Sequence, residues 1–267
     1  MLQRVLLLGF NLAVASALSF DSHGSSQQGA VAKLSNNQCV NCHAKSSLPA
    51  NISSRYLDWH FSAHKTNGIG CDKCHGGDAT ARDAQRAHKG ITLSSQKESR
   101  LSSENLPETC GSCHKAVVNS FVESVHYQKL NSSGLGPSCN TCHSHMGSSV
   151  ATFPTDAATY CTLCHNSTNG LLPQRPDIPA KAKKVMESIG RATYAVKFAQ
   201  DLLKEAQDRK VDVAEQIEDM RLLQQLLHET KVGWHSFTLE GARVKAEKAF
   251  EESLRIRDQL MRKLGRT

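Results

Sequence analysis

Large apolar side chains are scarce in this chain of 267 residues. Aromatic residues make up 5% of it, whereas charged residues make up 21%. Because aromatic side chains bury the largest apolar areas in protein cores, a chain so poor in them has little material for an ordinary globular core. We therefore expect groups other than its own side chains to fill part of its interior.

Long apolar runs are also missing, apart from one near the amino terminus. That run extends from Val5 to Ala15 behind Arg4, and small residues follow it. This is the layout of a secretory signal peptide, and the run is short against the roughly 20 apolar residues that span a bilayer. We predict a signal peptide over residues 1–17 and an exported chain, periplasmic or extracellular, with no transmembrane segment after signal removal.

No cysteine lies outside a Cys-x-x-Cys pair, and a histidine directly follows each pair. The five runs are Cys39–His43, Cys71–His75, Cys110–His114, Cys139–His143 and Cys161–His165. A disulfide scaffold does not require this spacing five times, and tetrahedral zinc sites do not require a histidine after every pair. A thioredoxin-like site needs one Cys-x-x-Cys within a βαβ pattern, which the sequence does not contain.

The Cys-x-x-Cys-His spacing is typical of covalent haem attachment. Two sulfurs three residues apart reach the two vinyl groups of one haem, and the following histidine lies beneath the iron as proximal ligand. We therefore predict five haem c groups. Their thioether anchors are Cys39, Cys42, Cys71, Cys74, Cys110, Cys113, Cys139, Cys142, Cys161 and Cys164. Their proximal axial ligands are His43, His75, His114, His143 and His165.

Eight histidines remain, and a protein with two histidines on every iron needs five of them. His64 and His126 each stand in a Ser-x-His setting ahead of a Cys-x-x-Cys-His run, and His88 closely follows the second run. His235 lies beside Trp234, between two predicted helices. The predicted distal ligands are His64, His88, His126, His145 and His235, and the reserve candidates are His60 and His228.

His145 follows His143 by two residues, in the run CNTCHSHMG. His143 occupies one face of its own haem, and a side chain two residues later cannot pass round the porphyrin to the opposite face. If His145 binds iron, it binds the iron of a neighbouring haem, which places two haems close together. Otherwise it is a surface residue or a propionate contact, and His60 becomes the fifth distal candidate.

Composition divides the rest of the chain into three regions. Residues 18–38 are rich in Ser, Gly, Gln and Asn, which predicts a flexible lead-in. Residues 39–172 hold all five motifs, which predicts a pentahaem cytochrome c domain whose core is the porphyrins and whose apo form does not fold. Residues 180–267 contain no cysteine and are a predicted C-terminal helical domain.

Apolar residues in this last region recur at helical spacing. The first stripe contains Val185, Ile189, Ala192, Val196, Ala199, Leu203 and Ala206. Asp212 is a predicted N-cap with Glu215 three residues later, so a second helix should begin there, and a third is predicted from about Leu239 to Leu264. The predicted fold is mainly α with much irregular loop, and a C-terminal helical hairpin or bundle. The stripes predict packing of helix on helix, with a dimer-forming coiled coil as the alternative.

The net charge of +7 suggests an anionic partner at first sight. Removal of Arg4 with the signal leaves +6, and each ferric haem with two histidines and two ionised propionates adds about −1. The oxidised holoprotein then carries a charge of about +1, so the basic residues offset propionates as much as they attract partners. We expect no nucleic-acid partner.

The closely spaced motifs, the Ser-x-His settings of His64 and His126, and the run CHGGD with AHKG resemble the bacterial multihaem cytochromes c. That superfamily includes hydroxylamine oxidoreductase, octahaem tetrathionate reductase and pentahaem ammonia-forming nitrite reductase. The resemblance implies electron transfer and a related haem packing. It does not imply the enzyme activities, because those nitrite reductases usually carry a Cys-x-x-Cys-Lys run and this chain has none. No tyrosine stands in a setting that we can assign to the haem cross-link of hydroxylamine oxidoreductase.

Three functions are compatible with these features. Two imidazoles saturate an iron and give low reduction potentials, which favours an electron carrier of anaerobic-type respiration over an enzyme. Its partners would be redox proteins, with a donor such as a membrane quinol oxidase module and, as acceptor, a reductase or an extracellular acceptor. The alternatives are a small reductase of a nitrogen or sulfur oxyanion at one open haem, and a subunit of an extracellular cytochrome filament. The C-terminal helices could also form a homo-oligomer.

Overall fold

The computed structural model describes residues 34–45, 49–145, 159–168 and 174–266. The predicted signal peptide and most of the predicted lead-in lie outside these ranges. Within them the chain is mainly α-helical and contains no β-strand, which confirms the predicted fold class. No helix in the described ranges has both the length and the apolar character to cross a membrane.

Short helices joined by loops form the described part of residues 34–145. They are α1 (Gln38–His43), α2 (Ala50–His60), α3 (Ala63–Thr66), α4 (Asp72–His75), α5 (Ala84–Ala87), α6 (Leu106–Gly111), α7 (Lys115–Val122), α8 (Val125–Ser133) and α9 (Cys139–His143). Helices α1, α4 and α9 are themselves parts of Cys-x-x-Cys-His runs. These three motifs therefore lie on helical turns.

Polar caps and glycines keep these helices short. The Asn37 carboxamide oxygen accepts a hydrogen bond from the Val40 amide at 3.3 Å at the start of α1, and Asp83 does the same for the Arg86 amide at 2.8 Å at the start of α5. Gly134 has a φ of 68° and ends α8 in the left-handed conformation. Asn37 belongs to the end of the predicted lead-in, so the last residues of that segment are part of the fold.

Three long helices follow the motif region. They are α10 (Ile178–Asp208), α11 (Ala214–Gly233) and α12 (Leu239–Lys263), and a single 3-10 turn (Trp234–Ser236) lies between α11 and α12. Ala192 and Ala199 of α10 are fully buried, as are Ala246 and Ala249 of α12. Such small residues allow the two helix backbones to approach closely. The predicted stripes pack inside one chain, which confirms the prediction of helix-on-helix packing.

The predicted start of the second long helix is wrong by one residue. The residue that flanks α11 is Val213 and not Asp212. Val213 is buried in the core between the three helices, and this burial sets the point at which the helix begins. Asp212 still accepts a hydrogen bond from the first helical amide, that of Ala214, at 3.3 Å.

The apolar core of the described chain belongs mainly to the three long helices. Of the buried apolar side chains, six lie in residues 34–145 and nineteen in residues 182–264. The motif region covers more of the chain, yet it buries few large apolar side chains of its own. Its stability must therefore come from another source, as the low aromatic content predicts.

The two regions meet at the carboxyl end of α11. Helix α7 packs against the 3-10 turn and against α11. The ring of Phe121, at the end of α7, lies 6.4 Å from the ring of Phe237, the residue that follows the turn. The three-helix unit is therefore docked on the motif region.

A chain that cannot bind haem should lose structure in one region only. Serine in place of all ten cysteines removes the haem attachment points of residues 34–168 but leaves the core of α10–α12 unchanged. We expect limited proteolysis to degrade the motif region and to leave a resistant fragment that begins near Ile178, identified by mass spectrometry. The haem-loaded wild type serves as the control. Equal resistance of both regions in the variant would contradict this expectation.

Candidate haem sites

Each of the five motif histidines faces one other histidine ring. The distances between ring centroids are 6.0 Å for His43 and His88, 6.0 Å for His64 and His114, 6.3 Å for His75 and His145, 6.0 Å for His126 and His165, and 6.2 Å for His143 and His235. Each pair joins one predicted proximal ligand with one predicted distal ligand. No residue of the predicted distal set is left without a motif histidine opposite it.

The spacing of the pairs fits a metal ion held between two imidazoles. A metal–imidazole bond is about 2.0 Å long, and the ring centre lies roughly 1 Å behind the bonding nitrogen. Two such bonds in line separate the ring centres by about 6 Å, which is the separation found in all five pairs. The residues therefore fit the haem groups that the motifs predict.

Burial favours the metal-binding form of most of these rings. It is the largest cause of a lowered pKa at His43, His64, His75, His126, His143, His145, His165 and His235. A lowered pKa keeps the imidazole neutral, and only the neutral ring offers a nitrogen lone pair to iron. The Nδ1 atoms of His64, His126, His145 and His165 are also buried without a hydrogen-bond partner.

Two predicted distal histidines are held at helix starts by serine caps. His64 is the second residue of α3, and His126 is the second residue of α8. Ser124 accepts a hydrogen bond from the Tyr127 amide at 3.1 Å, and Ser62 caps α3 in the same way. Both serines are 2% exposed. The repeated Ser-x-His setting is therefore a buried helix cap that fixes the backbone of the histidine two residues later.

Backbone carbonyls orient two other distal candidates. His88 Nδ1 lies 2.9 Å from the carbonyl oxygen of Ala84, one turn earlier. His235 Nδ1 lies 3.1 Å from the carbonyl oxygen of Lys231 and 3.2 Å from that of Val232. In both residues these contacts occupy Nδ1, which leaves Nε2 available to a metal.

His145 faces a different site from its neighbour His143. Ser144, between them, has a φ of 49° and a ψ of −148°, a conformation that residues other than glycine rarely adopt. His143 faces His235, whereas His145 faces His75. The Nδ1 atom of His145 lies 3.7 Å from the Asp58 carboxylate.

The reserve candidates lie apart from the motif histidines. His60 Nδ1 is 3.5 Å from the Tyr56 hydroxyl, and its ring contacts those of Tyr56 and Phe61. No ring contact joins it to a motif histidine in the part of the chain that the structure describes. His228 is exposed on α11. Neither residue has the geometry of the five pairs.

The first three motifs lie side by side in chain order. The Asn37 side-chain amide, just before the first motif, donates a hydrogen bond to Asp72 of the second motif at 2.9 Å. The Arg100 guanidinium donates to the carbonyl oxygen of Lys73 in the second motif at 3.4 Å. The carbonyl oxygen of Arg100 in turn accepts a hydrogen bond at 2.7 Å from Thr109, the residue before the third motif.

The third, fourth and fifth motifs are neighbours through their cysteines. Cys110 and Cys139 interact with each other, and this interaction lowers the pKa of Cys139 to about 7 and raises that of Cys110. Burial, with a contribution from Cys161 of the fifth motif, raises the pKa of Cys142 to about 11. The attachment points of successive motifs are therefore adjacent in space along the whole series.

Comparison with known proteins agrees with this arrangement. The family model described as cytochrome c554 and c-prime matches residues 14–76, which include the first two motifs. The C-type polyheme cytochrome OmcC of Geobacter sulfurreducens is 28% identical over 125 residues, which are 44% of this chain and 15% of that protein. No solved structure matches the chain. Neither match bears on a haem packing of the hydroxylamine oxidoreductase type, which stays a prediction.

Haem attachment motifs and similarity to cytochromes c thus point the same way. Cytochromes of this kind hold haem c through thioether bonds and exchange electrons with redox partner proteins. With five Cys-x-x-Cys-His runs and these similarities, the chain resembles the multihaem c-type cytochromes.

Proposed function

We propose that the chain is an exported pentahaem cytochrome c that carries electrons through five haems, each with two histidine ligands. The observation that supports this most directly is the set of five histidine pairs, whose ring centroids lie 6.0–6.3 Å apart. Five cysteine pairs and five histidine pairs match a count of five haems with no member left over. The division into a pentahaem domain over residues 39–172 and a helical domain over residues 180–267 is part of this proposal.

The chain would hold each haem through two thioether bonds, one proximal histidine and one distal histidine. Two cysteines of each motif form the thioether bonds, and the motif histidine is the proximal ligand. His64, His88, His126, His145 and His235 are the distal ligands. A bound haem c supplies one reversible electron at its iron. With an imidazole of the motif histidine and one of the distal histidine as its two ligands, a bound haem would have no position open to a substrate, and its surroundings would change little between oxidation states.

Contacts between successive motifs support transfer along a row. Each motif lies beside the next one in the chain. The Asn37–Asp72 hydrogen bond, the contacts of Arg100 and the cysteine contacts described above connect them. These contacts between neighbouring motifs favour transfer in chain order from the first site to the fifth. The two ends of this row are the expected places of contact with a donor and an acceptor.

The partners belong to the proposal as well. The donor would be a protein such as a membrane quinol oxidase module, and the acceptor would be a reductase or an extracellular acceptor, in respiration of an anaerobic type. The predicted signal peptide of residues 1–17 supports export. The haem attachment motifs support it as well, because covalent haem attachment takes place outside the bacterial cytoplasm. The relative OmcC is a polyhaem cytochrome by name, but the matched segment covers only 15% of it, so its own role is not carried over.

The two alternative functions, a reductase and a filament subunit, each need an iron that lacks a second histidine from the same chain, and the five histidine pairs do not favour this. A reductase needs one iron with an open axial position, yet every motif histidine has another histidine opposite it. A filament subunit needs a haem or a histidine that is completed by the next copy, yet the five pairs form within one chain. We therefore prefer the carrier.

Saturated irons predict a protein that does not bind small ligands. We expect five haems per chain by intact mass and pyridine haemochrome assay, no high-spin ferric signal, and no spectral change when CO is added to the reduced protein. Binding of CO at one haem per chain would contradict the carrier and favour the reductase. A haem count other than five would contradict the proposal as a whole.

The assignment of His145 can be tested against a matched histidine. His145→Ala should convert one low-spin haem of the five to the high-spin form and allow it to bind CO, because the position opposite His75 becomes open. His60→Ala is the control, since it removes a half-buried histidine from the same neighbourhood that faces no motif histidine. An unchanged spectrum in His145→Ala, with a new high-spin signal in His60→Ala, would exchange the roles of the two residues.

A further inference from the structure

Phe237 has an unusual backbone conformation. It follows the 3-10 turn with a φ of 58° and a ψ of 25°, in the left-handed region. A bulky side chain rarely adopts this conformation, because its Cβ approaches the backbone too closely. The Phe237 amide donates a hydrogen bond to the carbonyl oxygen of Trp234 at 2.9 Å, which closes the turn. Contacts of the side chain must offset the cost of this conformation.

The Phe237 ring makes those contacts beside the fifth candidate site. Its centroid lies 4.3 Å from that of His126, and the two planes meet at 74°. The rings of Phe121 and Trp234 lie 6.4 Å and 6.0 Å from it. An edge-to-face contact at such short range restricts rotation of the smaller ring, because any rotation brings the rings into collision or breaks the contact.

The Nδ1 atom of His126, like that of His64, lacks the kind of contact that orients the rings of three other distal candidates. Carbonyl oxygens contact Nδ1 of His88 and of His235, and a carboxylate lies 3.7 Å from that of His145. The Nδ1 atom of His126 is buried and has no hydrogen-bond partner. A hydrogen bond to the second nitrogen usually fixes the rotation of a ligating histidine. At His126 the structure shows a ring contact with Phe237 in place of such a bond.

We infer that Phe237 is the positioning residue of His126, which fixes by ring contact the plane of the imidazole that faces His165. The inference rests on the proposed ligation of the fifth haem by these two histidines, whose planes meet at 45°. Phe237 lies two residues after His235, which faces His143. One turn of the three-helix unit therefore supplies a ligand to the fourth site and orients a ligand of the fifth.

The angle between imidazole planes can be measured directly. In a low-spin ferric haem with two histidines, the g values of the electron paramagnetic resonance spectrum depend on that angle. We expect Phe237→Leu, in the haem-loaded protein, to move and broaden the signal of one haem, because leucine keeps an apolar side chain but loses the planar ring. Phe237→Tyr keeps the ring and should leave the spectrum unchanged. His126→Ala identifies the signal, since it removes the low-spin signal of that haem alone.

Further variants separate orientation from loss of structure. Phe237→Gly removes the ring and also relieves the positive φ, so its backbone should fold without strain and its signal should move as in Phe237→Leu. Phe250→Leu removes a half-buried ring within the three-helix core and should leave all five signals in place. If the spectrum stays unchanged in Phe237→Leu and Phe237→Gly, or if the shifted signal is the one that His235→Ala removes, the inference is wrong. A wild type with an open haem would instead overturn the proposed function, since that result does not involve Phe237.

Discussion

In the proposed function, two imidazole rings on opposite faces of one porphyrin must stay about 6 Å apart, and this requirement determines how the motif region is arranged. A Cys-x-x-Cys-His run fixes only the first ring. The second ring comes from elsewhere in the chain, and the five pairs overlap in sequence. The interval from His43 to His88 overlaps that from His64 to His114, and the overlap continues until the last interval ends at His235. In the proposed function, overlapping ligation joins nearly the whole described chain into one body.

The three long helices are stabilised by a different interaction. Their stripes bury alanine, valine, isoleucine and leucine against one another, and most buried apolar side chains of the described chain lie there. Such a core does not depend on a cofactor. The motif region, by contrast, buries few large apolar side chains, and in the proposed function haem fills its interior. The two halves therefore differ in what folds them, and they meet where α7 packs against the end of α11.

Sequence alone predicts what depends on local pattern. The motifs, the helical class and the buried stripes follow from spacing, and the structure bears out the fold class and the stripes. The partner of each motif histidine does not follow, because it depends on distances between segments far apart in the chain. Spacing does show that His145 must turn away from the haem of His143, but the positive φ of Ser144, which turns it toward His75, becomes visible only in coordinates. The contact of Phe237 with His126 leaves no pattern in either segment.

In the proposed function, the junction between the halves matters because it carries the distal ligand His235. His88, His64, His126 and His145 lie on short helices or turns of the motif region, whereas His235 lies at the end of a helix that has its own apolar core. A ligand on a preformed unit loses less conformational entropy on binding than one on a loop. The Lys231 and Val232 carbonyls already hold the His235 ring, and Phe237 extends this order to His126. In the proposed function, the helical unit thus gives the fourth and fifth sites a rigid packing surface, which carries His235 and Phe237. The motif region cannot form such a surface by itself.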